Sequence, residues 1–173
     1  MKIKTVDIVY GVPFFTGLIL QIFAVDLFRL TFISQEITVG LYLLSGIIGF
    51  FLLRQKVQGT FKNKILDLIV SLTYCIVSVG GTLTYILLAG NYYLADNNTT
   101  RQSFPVVKTG TLGKGRSSKC FQPYADIEKD GLTKEMVFKC NLPKDITAYK
   151  SMEITFSEGG LGFDIIRDKQ LIE

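Results

Sequence analysis

The sequence predicts a membrane α-helical part of three transmembrane helices followed by a small C-terminal all-β domain, a barrel or a sandwich. Three observations predict it. Leu68 to Ala95 runs for 28 residues without a charge, between Asp67 and Asp96. Two further uncharged runs, Ile8 to Val25 and Ile37 to Leu53, precede it. Beyond residue 95 the chain changes to short alternating stretches separated by glycine turns. A bilayer core about 30 Å thick is crossed by about 20 helical residues. The expected spans are therefore about 8–30, 37–53 and 68–93, giving a transmembrane domain over 1–95, a linker over 96–102 and an outer β domain over 103–173.

Charge separates the same two parts. The mean hydropathy of +0.33 comes almost wholly from the first half. The first 95 residues hold Lys2, Lys4, Asp7, Asp26, Arg29, Glu36, Arg54, Lys56, Lys62, Lys64 and Asp67, out of 19 basic and 15 acidic residues in the chain. The outer part is close to neutral, so the net charge of +4 is mostly a topology signal and not the basic face that a nucleic acid would need. No nucleic-acid partner is expected.

The first span begins after a short basic start. A cleaved signal peptide is the competing reading, but the apolar character continues past Asp26 and Arg29 to Ile33 and no small-residue cleavage site follows. Gly11 and Pro13 place a kink near its start. Asp26 and Arg29, three apart near the outer end, are spaced to pair on one helix face. Ser34-Gln35-Glu36 is a tight connection and makes the first two spans an antiparallel hairpin. The segment from Arg54 to Lys64 carries four basic residues and no acid. The positive-inside rule puts it in the cytoplasm, with the amino terminus inside and the β domain outside. Tyr92 and Tyr93 fall where an interfacial aromatic anchor belongs.

Small residues mark the expected helix contacts, because membrane helices pack through them. In the third span Ser71, Cys75, Ser78, Thr82 and Ala89 follow spacings of four, three, four and seven. The second span offers Ser45 and Gly49, and the first Gly17, Gln21 and Ala24. These seams hold the three helices to one another or dock onto a partner. Gly80-Gly81 adds a flexible or closely packed point.

In the outer part, strands are expected at Phe104–Lys108, Phe121–Glu128, Leu132–Cys140, Ser151–Phe156 and Phe163–Arg167. Asp130-Gly131 between two alternating runs is a hairpin signal. A two-residue turn there sets Lys129 opposite Leu132, Ile127 opposite Lys134, Ala125 opposite Met136, Pro123 opposite Phe138 and Phe121 opposite Cys140. That register gathers the apolar residues on one face, as a core selects. An oxidising compartment favours a disulfide between Cys120 and Cys140, yet the same register turns Cys120 to the other face. A bulge near Pro123 would reconcile the two.

No catalytic constellation is visible. The chain has no histidine, which excludes a Ser/His/Asp triad and histidine-held metal or haem. No cofactor or metal is expected. Gly110 to Lys119 is a glycine-rich basic loop whose glycine spacing does not fit a P-loop. Lys108, Lys114, Arg116 and Lys119 are instead a candidate contact for an anionic surface, against the simpler reading of a solvated hairpin tip.

The expectation is a non-enzymatic accessory, scaffolding or assembly subunit of a larger membrane protein complex. Its β domain would face the periplasm of a bacterial inner membrane, its neighbours being the lipid bilayer and a protein partner or further copies of itself. The alternative is a homo-oligomeric transport or channel component, with Gln21 and Asp26 its best candidate residues.

Overall fold

The computed structural model describes residues 5–57, 62–113, 121–139 and 146–172. The chain divides into two compact units, Met1–Leu94 and Ala95–Glu173.

The first unit is helical. α1 spans Thr5–Leu30 and α2 spans Gln35–Val57. The third span is one continuous rod in three pieces: α3 (Lys64–Cys75), a π turn (Ile76–Gly80) and α4 (Gly81–Tyr93). Tyr10–Leu30, Gln35–Val57 and Lys64–Tyr93 are each long and apolar enough to cross a membrane. The starts of the later helices follow local chemistry. The Ser34 hydroxyl accepts from the Ile37 N–H at 3.2 Å, and the Asn63 side chain accepts from the Ile65 N–H at 3.0 Å, each satisfying a first-turn donor that has no intrahelical partner. The third span is longer than the expected 68–93 because Asn63 caps it a turn earlier.

The third span lies between the other two. α3 packs on α2, the π turn touches both α1 and α2, and α4 packs mainly on α1. Towards the C-terminal ends of α1 and α4, Ala24 and Leu27 of α1 bury against Leu88 of α4, with Phe28, Tyr85, Ala89 and Tyr92 around them. α1 and α2 are tied to each other by the Tyr10 hydroxyl donating to the Lys56 carbonyl at 2.6 Å and the Tyr42 hydroxyl donating to Gln21 Oε1 at 3.2 Å. Asp26 and Arg29 stand exposed on α1.

The second unit is a five-stranded antiparallel sheet in the order β3-β2-β1-β4-β5. The strands are β1 Thr99–Leu112, β2 Gln122–Lys129, β3 Leu132–Val137, β4 Ser151–Ser157 and β5 Ile165–Ile172. The β2–β3 pairing sets Lys129 opposite Leu132, Ile127 opposite Lys134 and Ala125 opposite Met136, the register that the hydrophobic face selects. Asp130 and Gly131 have φ of 53° and 76°, the two left-handed residues of a type I′ turn. Ala125, Ile127, Met136, Met152, Ile154, Phe156 and Ile165 are fully buried and form the core of this unit.

β1 departs most from expectation. The first four of its residues, Thr99–Gln102, lie in the stretch expected as a linker, and the strand runs on through residues expected as a loop. Thr99–Pro105 pairs with β4, whereas Val106–Leu112 pairs with β2 across a bulge between Val106 and Lys108. The changeover falls after Pro105, whose missing N–H disfavours a continuous two-sided ladder, and bulges bend a strand. Polar Thr99–Gln102 become strand because backbone bonds to β4 satisfy them without apolar side chains. Phe121, expected with the core, stays exposed because β2 begins only at Gln122.

Candidate functional site

Two side-chain groupings stand out, one in each unit. The first is the seam around the π turn, where four glycines let backbones meet and a fifth makes room for a side chain. A Cβ on Gly17 would overlap the Val77 carbonyl oxygen and lie 2.6 Å from Ser78 Cα. A Cβ on Gly46 would lie 2.5 Å from Ile76 Cα, one on Gly80 2.6 Å from the Tyr42 carbonyl oxygen, and one on Gly81 2.6 Å from the Gly17 carbonyl oxygen. On Gly49 it would meet Val79 Cγ1 at 2.8 Å. The widened π turn is thus lodged against α1 on one side and α2 on the other.

The hydroxyls of this seam bond within the bundle. Ser45 donates to the Tyr42 carbonyl at 3.1 Å, Ser71 to the Val57 carbonyl at 3.3 Å, Ser78 to the Tyr74 carbonyl at 2.7 Å and Thr82 to the Ser78 carbonyl at 2.6 Å. Such back-bonding accommodates a helix irregularity. Cys75 is completely buried. The buried stripe continues from Ser71, Cys75 and Ser78 to Gly81, Thr84, Leu88 and Asn91 rather than to Thr82 and Ala89, which are half-buried. The stripe shifts because the third span changes neighbour at the π turn, from α2 to α1. Gln21, in the middle of α1, accepts its bond from Tyr42.

The second grouping is a set of lysines at the margins of the β domain's core. Lys134 sits at a core position opposite Ile127 and is 9% exposed. Burial, and next the Lys169 ammonium nearby, push its pKa down from the ordinary lysine value to about 8. Lys169 of β5 donates to the Val137 carbonyl of β3 at 2.7 Å and lies 5.2 Å from the centre of the Phe138 ring. Lys129 pairs with Asp164 and sits over the Phe156 ring at 4.4 Å. The hairpin register placed Lys134 opposite Ile127 in advance, but nothing local marks Lys169 or Asp164 as the partners.

Of the remaining expected site residues, Lys108 is exposed on β1. Lys114, Arg116, Lys119, Cys120 and Cys140 lie outside the described residues. Among the described residues no group of His, Cys, Asp or Glu is placed to hold a metal ion. No family model, curated protein or solved structure matches the chain.

Proposed function

We propose that the protein is a non-enzymatic accessory or assembly subunit of a larger membrane complex, anchored by a self-contained three-helix module and working through its outer β domain. The observation that carries this reading is the bonding of the seam: Gln21, Ser45, Ser71, Ser78 and Thr82 all bond within the bundle. Gln21 and Ser71 bond across to a neighbouring helix, Ser45, Ser78 and Thr82 bond to carbonyls of their own helix, and polar groups engaged in this way do not line an aqueous route. That weighs against the channel reading and moves partner binding from the spans to the outer domain.

The domain suits such a role. The Lys169 bond to Val137 joins strands at opposite ends of the sheet order, which supports a partly closed barrel over an open sandwich. Its outward face is polar, with Arg101 and Glu153 3.6 Å apart on neighbouring strands. The positive charges of residues 54–64 support an arrangement with this domain outside a bacterial inner membrane, and the exposed Lys108 leaves room for an acidic protein surface as partner.

The test is affinity purification of the tagged full chain from its native membrane in mild detergent. A stoichiometric protein partner is the expected result. A defined homo-oligomer would move the assignment to a self-assembled pore, and a monodisperse lone monomer would refute the accessory reading.

A further inference from the structure

The loop between β4 and β5 has a place in the chain that its composition makes consequential. The helix of the third span ends at Tyr93, and Asp96 follows three residues later, a contour of at most about 11 Å. The Asp96 N–H donates to the Glu158 carbonyl at 2.9 Å. Glu158 is the first residue after β4, so the β4–β5 loop begins one hydrogen bond away from this short tether.

The loop is ordered by its own backbone. The Gly159 N–H donates to the Phe163 carbonyl at 3.1 Å and the Gly162 N–H to the Gly159 carbonyl at 2.9 Å. Gly162 takes a φ of 83°. Asp164 at the loop's end is paired with Lys129. Gly159, Gly160 and Gly162 bring no side chain, so the loop presents chiefly Leu161 and Phe163, which are 49% and 36% exposed. The apolar surface that both side chains leave open to water gains from a bilayer, because apolar side chains partition into the boundary between headgroups and acyl chains. An aromatic pair such as Tyr92 and Tyr93 at the end of the third span also belongs there.

We propose that the β4–β5 loop is an interfacial membrane anchor, with Leu161 and Phe163 seated in the lipid of the membrane that the third span crosses. Asp96 and Glu158 beside it are acidic, so the contact is apolar and needs no anionic lipid. The proposal rests on the third span crossing the bilayer and holds whether or not a protein partner binds.

The chain has no tryptophan, so single substitutions report cleanly. The full chain carrying Phe163→Trp is reconstituted into vesicles of zwitterionic lipid with brominated acyl chains, beside Leu87→Trp in α4 and Val107→Trp on β1. Val107 is eight residues along β1 from Thr99, about 26 Å of strand. The expected result is a blue-shifted, bromine-quenched emission for Phe163→Trp and Leu87→Trp, unaffected by high salt, with Val107→Trp unquenched. Quenching at Leu87 but not at Phe163 overturns the anchor alone. No quenching at Leu87 overturns the membrane crossing with it, and equal quenching at Val107 overturns the assignment to this loop.

Discussion

Replacing Gly17 by alanine tests the helical packing most directly. The new Cβ would lie 2.6 Å from Ser78 Cα and 2.9 Å from the Ser78 carbonyl oxygen, and closer still to the Val77 carbonyl oxygen. Carbon atoms in contact sit at about 3.5–4.0 Å, so α1 and the π turn must separate by about 1 Å. All three neighbours are backbone atoms, and no rotamer change relieves the overlap. The seam then loses contacts on both sides of Gly17, including the approach of Gly81 to the Gly17 carbonyl oxygen. Overpacking of this kind costs about 1–3 kcal/mol. An opposing gain arises because alanine favours helix over glycine by up to about 1 kcal/mol, reduced here because the spans keep much helix when they separate. The net expectation is destabilisation by about 1–2 kcal/mol. The assay is reversible unfolding of the full chain in mixed micelles, with Gly40→Ala and Gly90→Ala as controls, since a Cβ at either position meets nothing within 4 Å. The controls should be neutral or slightly stabilising. If Gly17→Ala behaves as they do, the close crossing of α1 and the π turn is wrong.

Lys134 gives a pH prediction. Its pKa in the folded domain is lowered to about 8, so the unfolded chain binds the extra proton between about pH 8 and the ordinary lysine value near 10.4. Below that window charged Lys134 opposes folding by at most about 3 kcal/mol, and stability from this residue rises as pH climbs through it. Lys134→Met should therefore be more stable than wild type near neutral pH, and thermal melts should show that advantage shrinking toward pH 10; an advantage constant with pH would contradict the account. In the β2–β3 turn, Gly131 has a φ of 76°, and Gly131→Ala should lower domain stability by about 1–2 kcal/mol in denaturant unfolding. Removing the Lys129 partner by Asp164→Asn should cost about 1 kcal/mol and speed amide exchange across residues 158–164, the loop that this pair closes.

The location of the three spans was legible in the sequence because partition into lipid depends on the sum over a local run of residues, and three such runs are free of charge. The β2–β3 hairpin was legible for a related reason. Its turn chemistry and its alternation lie within a few residues of each other, and only one register puts Ala125, Ile127 and Met136 on one face.

Tertiary structure decided the rest. The small-residue spacing pointed to a single stripe along the third span, but that spacing assumes regular helix and one neighbour. The π turn and the change from α2 to α1 together moved the buried face from Ser78 to Thr84 and Leu88, away from Thr82. Gly17 was legible only as one small residue of an expected seam and Gly46 not at all, since glycine is equally at home where nothing approaches, as at Gly40 and Gly90. Thr99–Gln102 look like a linker by composition, yet they become strand because β4, some fifty residues away, supplies the hydrogen bonds. Likewise Lys134 acquires its low pKa from burial in the core and next from Lys169, surroundings brought near by the fold. Local composition determines which solvent a segment prefers. Which neighbour it meets there is set by shape and by backbone pairing across the whole chain.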